Sequence, residues 1–186
     1  MLWLACAAPL VTWVWGVYHD SLGANPAEFL IRASGDQTLR MLCWTLTVTP
    51  LRVLLGWPEL ARWRRMLGLW VYAYAVLHAL SYSLFDMGLE WMDIAHDIAK
   101  RPFILVGFCA WLLLTPLAAT SFNAAIRWLG ARRWQWLHRV VYVVAPLAVL
   151  HFFWMRAGKQ HFTEVWFYGV WLALLLGWRG VRALRA

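Results

Sequence analysis

The sequence has few acidic residues, widely spaced cysteines and no nucleotide-binding glycine motif. Its 186 residues include nine Asp or Glu against 17 Lys or Arg, and only 14% of residues are charged. Cys6, Cys43 and Cys109 form no C-x-x-C pair, which excludes a zinc site or an iron–sulfur cluster held by cysteine. We expect all three to be packing residues in apolar runs. No G-x-G-x-x-G motif occurs, so the sequence predicts no nucleotide-binding dehydrogenase domain.

Apolar and aromatic residues dominate the composition instead. Hydrophobic residues make up 63% of the chain, and 16 residues are tryptophan. A fold of this size has too little interior to hide that much apolar surface, so the excess is expected to face lipid. The net charge of +8 does not indicate nucleic-acid binding, because the basic residues lie in short clusters between apolar runs rather than along one stripe.

Six apolar stretches are predicted to cross the bilayer, at about 1.5 Å of rise per helical residue. They are residues 2–18, 39–55, 66–85, 103–126, 134–155 and 165–178. The first has no basic lead-in and no small-residue cleavage site, so we interpret it as a span rather than a signal peptide. The predicted fold is a single all-α integral membrane domain, residues 1–186, with about six transmembrane helices in one bundle.

Charged residues divide the connecting segments into two groups. The segments around residues 62–65, 127–133 and 179–185 are basic, and the acidic residues fall mainly in the alternate segments. The positive-inside rule therefore predicts that both termini are cytoplasmic. In residues 86–101 the acids at 86, 90, 93 and 97 have helical spacing, which predicts a short amphipathic helix on the outer membrane surface. Its acidic face is either a partner-docking surface or an ordinary solvated face.

Two histidines inside the predicted spans have the depth of a haem-binding pair. His78 lies 12 residues, or roughly 18 Å, into the third span, and His151 lies 17 residues, or roughly 25 Å, into the fifth. Both spans are predicted to start at the cytoplasmic side, so both imidazoles fall in the outer half of the bilayer. Two neutral imidazoles bind one haem iron from opposite sides and leave no open site, which suits electron transfer. A single such histidine would equally fit an interhelical hydrogen bond.

A third intramembrane histidine, His138, allows two interpretations. It lies 13 residues, or about 20 Å, before His151, which suits a second haem nearer the cytoplasmic surface. A straight helix turns through about 220° over that distance, so the two imidazoles share no face unless Pro146 bends the helix. The third span offers Arg65 at the matching depth instead of a histidine. His138 is either a ligand of a second haem or an interfacial histidine among arginines.

Arg64 and Arg65, just before the third span, also allow two interpretations. Their guanidinium groups suit haem propionates or a flavin phosphate, or they simply hold the loop on the cytoplasmic side. His19, His96 and His161 fall in outer segments without a second ligand at metal spacing, and we expect them to be exposed to solvent.

Four segments of the sequence occur together in a known family. They are RRMLGLWVYAYAVLHALSY (64–82), KRPFILVG (100–107), LAATSFNAAIRWLG (117–130) and RRWQWLHRVVYVVAPLAVLHFFW (132–154). In this ordered set the sequence resembles the haem-binding membrane subunit of the periplasmic protein-methionine-sulfoxide reductase system. That family belongs to the ferric-reductase-like transmembrane group.

The resemblance implies a non-catalytic subunit of the bacterial inner membrane that carries electrons on b-type haem. The expected donor is quinol or a cytoplasmic flavin reductase, and the expected acceptor is a periplasmic molybdopterin enzyme that reduces methionine sulfoxide in oxidised proteins. His78 and His151 match the family's haem-ligand positions, and His138 matches a further histidine associated with haem. Some members are linked to flavin mononucleotide (FMN). Larger relatives have two ligand histidines on each of two helices, so Arg65 is a departure that leaves one or two haems open.

Two other functions stay open at this level. A stand-alone metal reductase would use the same haem at the outer face, although the lack of a dehydrogenase motif weighs against it. A haem-free transporter or scaffold would use the histidines to bridge helices, but the sequence lacks the broken helices and paired intramembrane acids typical of transporters.

Overall fold

The computed structural model describes residues 2–158 and 162–185, and all regular structure within these ranges is helical. The α-helices of this part of the chain are α1 (Leu2–Tyr18), α2 (Pro26–Leu55), α3 (Ala61–Ser81), α4 (Trp91–Lys100), α5 (Pro102–Ala119), α6 (Asn123–Leu129), α7 (Ala131–His138), α8 (Val141–Ala157) and α9 (Thr163–Leu184). A 3₁₀ turn (Pro58–Leu60) precedes α3, and a π-helical turn (Tyr82–Asp86) follows it.

Six long helices correspond to the six predicted spans: α1, α2, α3, α5, α8 and α9. By length and composition the segments Pro58–Asp86, Pro102–Ala119 and Ala131–Ala157 are suited to cross a membrane, and Leu2–Tyr18 is a shorter apolar helix. Helices α2 and α9 are 30 and 22 residues long and include charged residues. The prediction of an all-α integral membrane protein is confirmed.

Four helices form the centre of the bundle. Helix α2 packs along α3, α5 packs along α8, and the two pairs meet where α3 contacts α5 and where α2 contacts α8. This order places α3 and α8 diagonally across from each other. Helix α9 covers α2 and α8, and α1 lies outside α3, where Tyr74 Oη donates a 2.6 Å hydrogen bond to Cys6 O. Cys6 and Cys43 are buried, as expected for packing residues.

The two ends of the bundle differ in charge. Exposed acids (Asp86, Glu90, Asp93) follow α3 at what we call the acidic end. Exposed arginines (Arg62, Arg64, Arg65, Arg127, Arg132, Arg133) lie at the other, basic end, where α3 begins and α5 gives way to α6 and α7. A 2.7 Å hydrogen bond from Arg65 Nη1 to Asn123 Oδ1 joins the first turns of α3 and α6 there.

The second span is longer than predicted, because α2 begins at Pro26 rather than at residue 39. Asn25 caps this helix by accepting a 3.1 Å hydrogen bond from the Glu28 backbone N–H, and Pro26 occupies the first helical position. Both are common helix-start signals. The polar turns that follow extend the helix beyond its apolar stretch toward the acidic end.

The fourth predicted span, 103–126, is interrupted, since α5 ends at Ala119. The Thr120 and Ser121 hydroxyls donate 2.7 Å hydrogen bonds to the backbone oxygens of Pro116 and Leu117 and compete with the helical pattern. Phe122 is extended, with φ −109° and ψ 158°, and α6 starts after it. The apolar run 103–126 is therefore continuous in sequence but is divided between two helices, α5 and α6.

The fifth predicted span, 134–155, is not one straight helix either. Helix α7 ends at His138, and the next two backbone N–H groups bond three residues back, Arg139 to Trp136 O and Val140 to Leu137 O. Such tight turns advance by about 120° per residue instead of about 100°. The irregularity thus lies at 139–140, whereas Pro146 sits within α8.

The amphipathic helix predicted within residues 86–101 is present as α4, but its acids do not share one solvated face. Asp97 is buried at 8% relative exposure, and it accepts a 2.6 Å hydrogen bond from Tyr82 Oη and a 2.8 Å ion pair from Arg101 Nε. Trp91 and Met92 instead point outward. Asp97 joins α4 to the turn that follows α3.

We expect the Asp97→Ala variant to lose roughly 1–3 kcal/mol of unfolding free energy, because it leaves the buried Tyr82 hydroxyl without its acceptor. The measurement is thermal or denaturant unfolding in detergent micelles. Asp93→Ala, on the exposed side of the same helix, is the matched control and should change stability by less than about 0.5 kcal/mol. Equal destabilisation by both variants would contradict this role of Asp97.

Candidate functional site

The bundle brings His78 and His151 together near its acidic end. His78 lies in the last turn of α3, and His151 lies six residues before the end of α8. Their ring centroids are 6.1 Å apart, and the ring planes are inclined by 70°. Because α3 and α8 are diagonal in the bundle, the two imidazoles approach each other across its centre.

The Nδ1 atom of His78 is held by α2. It lies 2.8 Å from the backbone oxygen of Ile31 and 3.4 Å from Ser34 Oγ. The Ser34 hydroxyl itself donates to Leu30 O at 2.7 Å, so its oxygen is available to accept. A carbonyl oxygen can only accept, and therefore Nδ1 of His78 carries the proton.

The Nδ1 atom of His151 has the same kind of partner on α5. It lies 2.7 Å from the backbone oxygen of Phe103, in the first turn of that helix. In each neutral imidazole a proton on Nδ1 leaves the lone pair on Nε2. This arrangement fixes the tautomer and the ring plane, and it is the usual support for a metal-binding histidine.

The spacing of the two rings fits one haem iron between them. An imidazole nitrogen lies about 2 Å from a bound metal and about 1 Å from its own ring centroid, so two imidazoles on opposite sides of one iron have centroids roughly 6 Å apart. The observed distance is 6.1 Å. Among the described residues no group of three or more His, Cys, Asp or Glu side chains forms a conventional metal site. The His78–His151 pair therefore suits an iron whose other ligands come from a macrocycle.

Ionic contacts fix the helix ends beyond His151. Arg156, in the last turn of α8, donates at 3.1 Å to Asp36 Oδ2 on α2 and at 2.8 Å to Glu164 Oε2 on α9. One turn along α2, Arg40 Nε donates a 3.0 Å hydrogen bond to Tyr168 Oη on α9. These contacts tie the helix that carries His151 to its neighbours, and neither histidine bonds to a carboxylate in the hydrogen bonds of the described ranges.

The structure places His138 away from this pair, at the end of α7. Its Nε2 lies 3.1 Å from Thr120 Oγ1, and its ring stacks on Trp134 with a centroid distance of 4.0 Å. The Thr120 hydroxyl donates to Pro116 O at 2.7 Å, so it accepts from His138, whose Nε2 then carries the proton. The role of His138 as a ligand of a second haem stays a prediction.

Arg64 and Arg65 lie near His138 at the basic end and are both exposed. Arg64 Nη1 is 3.5 Å from Thr49 Oγ1, and Arg65 bonds to Asn123. Both of these partners are neutral, and none of the ion pairs between described residues involves either guanidinium, so both charges remain available for an anion.

The remaining histidines were predicted to be exposed. His19 and His96 are exposed in the structure, as expected, and His19 stacks against Trp15 at 4.0 Å between ring centroids. His161 lies outside the described residues.

Sequence reasoning missed the two carbonyl groups that hold the histidines. Every residue has a backbone carbonyl, so the residue type does not indicate which carbonyl will accept a hydrogen bond. Ile31 and Phe103 could therefore not be identified from their side chains. One indirect signal was present: a glycine follows each of them by four residues, at positions 35 and 107, near the acidic end of α2 and of α5.

Comparison with known proteins identifies the family. The family model described as "Ferric reductase like transmembrane component" matches residues 34–149. The "Protein-methionine-sulfoxide reductase heme-binding subunit MsrQ" of Polaromonas naphthalenivorans is 62% identical over 179 residues, which cover 96% of this chain and 82% of that protein. The proteins of the same name from Ralstonia nicotianae and Caulobacter vibrioides are 51% and 41% identical; the alignments cover 97% and 96% of this chain and 86% and 84% of theirs. No solved structure matches the chain.

The family model covers more than half of the chain, and the relatives align with nearly all of it. The all-helical bundle agrees with a transmembrane component. The chain therefore belongs to the ferric reductase-like transmembrane family and, within it, to the family of protein-methionine-sulfoxide reductase heme-binding subunits.

Proposed function

We propose that this protein is the electron-transfer subunit of a protein-methionine-sulfoxide reductase system and binds one b-type haem between His78 and His151. The observation that carries the proposal is the pair of imidazoles at 6.1 Å, each with Nδ1 on a backbone carbonyl and Nε2 free for iron. The relatives are named heme-binding subunits, which supports haem as the cofactor.

His78 and His151 would hold a haem between them, one from each side. When bound, haem supplies an iron that accepts and releases one electron. Two histidine ligands from the chain would leave no position for a substrate, which favours electron transfer over catalysis at the iron. The Ile31 and Phe103 carbonyls hold the proton on Nδ1 of each imidazole and fix the orientation of the ring.

The charge difference between the two ends supports an orientation in the bacterial inner membrane. The basic end faces the cytoplasm with both termini, and the acidic end faces the periplasm. The haem site then lies near the periplasmic surface, where a molybdopterin-containing sulfoxide reductase would receive electrons and repair oxidised methionine in periplasmic proteins. Electrons enter from the opposite side, from quinol or a cytoplasmic flavin reductase.

We expect His78→Ala and His151→Ala each to remove most of the Soret absorbance of the purified protein, because each deletes one axial ligand. The same variants should abolish methionine sulfoxide reduction in membranes that also contain the periplasmic partner. His19→Ala and His96→Ala, which change exposed histidines, are the controls and should retain both properties.

Two outcomes would contradict the proposal. A colourless wild-type protein favours the haem-free transporter or scaffold, in which the histidines only bridge helices. A haem-loaded wild type that reduces ferric chelates but delivers no electrons to the partner favours the stand-alone metal reductase.

We further propose that the protein binds a single haem and that His138 is not an iron ligand. The Thr120 contact, which places the proton on Nε2, supports this assignment. We therefore expect His138→Ala to keep the wild-type ratio of haem to polypeptide, measured by pyridine haemochrome assay and amino-acid analysis. A ratio near two in the wild type that falls to one in this variant contradicts the single-haem proposal.

For Arg64 and Arg65 we propose an anion site at the cytoplasmic surface, with the FMN phosphate as its ligand. Arg65 lies 13 residues, or about 20 Å, before His78 along α3, which separates it from the propionates of a haem held by that histidine. We expect the double variant Arg64→Gln/Arg65→Gln to weaken FMN binding by roughly tenfold or more while haem content stays unchanged. Fluorescence titration with FMN measures this, and Arg62→Gln, an exposed neighbour, is the control. Unchanged FMN affinity in the double variant overturns the assignment.

A further inference from the structure

The two halves of the haem site repeat one arrangement of backbone and glycine. On α2 the Ile31 carbonyl bonds His78, and Gly35 follows it by four residues. On α5 the Phe103 carbonyl bonds His151, and Gly107 again follows by four residues. Residues four apart lie on the same face of a helix, so in each half one glycine and one carbonyl face the same imidazole.

Gly35 lies directly against the ring of His78. A Cβ atom at position 35 would be 3.0 Å from Cε1 of His78 and 3.2 Å from its Nδ1. Ordinary contacts between such atoms are about 3.5–4.0 Å. Any side chain at this position would therefore push the ring away from α2, and with it the Nδ1 atom that bonds Ile31.

Gly107 lies even closer to His151. A Cβ atom there would be 2.8 Å from both Cε1 and Nδ1 of His151 and 3.2 Å from its Cγ. The imidazole cannot yield along its hydrogen bond, because Phe103 O is already 2.7 Å from Nδ1. The contact therefore permits only glycine with the ring in its present place.

We propose that Gly35 and Gly107 are positioning residues of the haem site, which set the orientation and basicity of His78 and His151 by letting each ring lie against the neighbouring helix. The proposal rests on the proposed haem ligation. Without a side chain at these two positions, each imidazole reaches a carbonyl of the neighbouring helix with its Nδ1–H directed at that oxygen. The same absence of Cβ brings the paired helices close together, as small residues do elsewhere in membrane bundles.

A shifted ring would change the midpoint potential of the haem iron as well as the packing of the helices. The Nδ1 hydrogen bond increases the basicity of the imidazole, which favours the ferric over the ferrous state. Weakening it by Gly35→Ala or Gly107→Ala should raise the midpoint potential of any haem that remains bound. Displacement of the ring should also weaken haem retention, by roughly tenfold or more as for other partners behind a metal ligand.

The test compares alanine variants of two groups of helical glycines in detergent-purified full-length protein. Gly35→Ala and Gly107→Ala change the positions against the histidines. The controls are Gly68→Ala, whose new Cβ would meet only Thr45 Cγ2 at 3.9 Å, and Gly177→Ala and Gly180→Ala, which meet nothing within 4 Å. The measurements are haem per polypeptide, midpoint potential by redox titration, and the low-spin ferric electron paramagnetic resonance spectrum, which reports ligand orientation.

We expect haem loss, or a higher potential with an altered resonance spectrum, in both test variants, and wild-type values in the three controls. The larger effect should come from Gly107→Ala, which has the shorter contacts. Wild-type haem content, potential and resonance spectrum in Gly35→Ala and Gly107→Ala would overturn the proposal, because a purely structural role of glycine moves stability alone.

A double-mutant cycle keeps the proposal testable if Gly107→Ala folds poorly. In a His151→Ala background the ring that the new methyl group meets is gone, so Gly107→Ala should no longer reduce thermal stability or membrane accumulation. Equal losses in both backgrounds would contradict the contact. The cycle needs no haem, so it separates failure of this inference from failure of the proposed function, which a haem-free wild type would reveal.

Discussion

Two hydrogen bonds between helices, from histidine Nδ1 to a backbone carbonyl, determine most of what this site can do. They connect His78 to Ile31 on α2 and His151 to Phe103 on α5. In hydrocarbon a donor without an acceptor is costly, so these bonds keep the rings where the helices place them. The proton on Nδ1 leaves the lone pair of each ring on Nε2, and the 6.1 Å ring spacing fits the single iron that we propose. Fold, tautomer and cofactor choice thus depend on the same contacts.

The site also depends on how each helix pair is bound together. Helix α2 packs along α3 and α5 packs along α8, so each histidine and the carbonyl that holds it belong to neighbouring helices. At the acidic end, Arg156 links α8 to α2 and α9, and Asp97 links α4 to the turn after His78. These polar contacts lie where the helices leave the apolar core. A carrier of single electrons benefits from such rigid support, because its ligands need not move between oxidation states.

Much of the fold could be predicted because long apolar runs and the alternation of charged loops can be recognised from residue types alone. The helix ends were less predictable. Thr120 and Ser121 interrupt an apolar run through side-chain hydrogen bonds to the preceding turn, and the tight turn after His138 comes from backbone bonding. Asp97 looked like part of a solvated acidic face, yet tertiary contacts with Tyr82 and Arg101 bury it. Such effects arise only once the helices are packed.

The proximity of His78 and His151 was predictable, because an ionisable side chain at membrane depth is costly and two at similar depth suggest a shared ligand. The sequence alone could not separate His138 from that pair. In the structure the Thr120 hydroxyl, which donates to Pro116 O, lies against Nε2 of His138, whereas backbone carbonyls lie against Nδ1 of the other two histidines. A histidine held by Nδ1 keeps its Nε2 lone pair for a metal and one held by Nε2 does not, so under the proposed ligation the contacted nitrogen separates His138 from the pair. It depends on the partner that the neighbouring helix offers, not on depth or residue type.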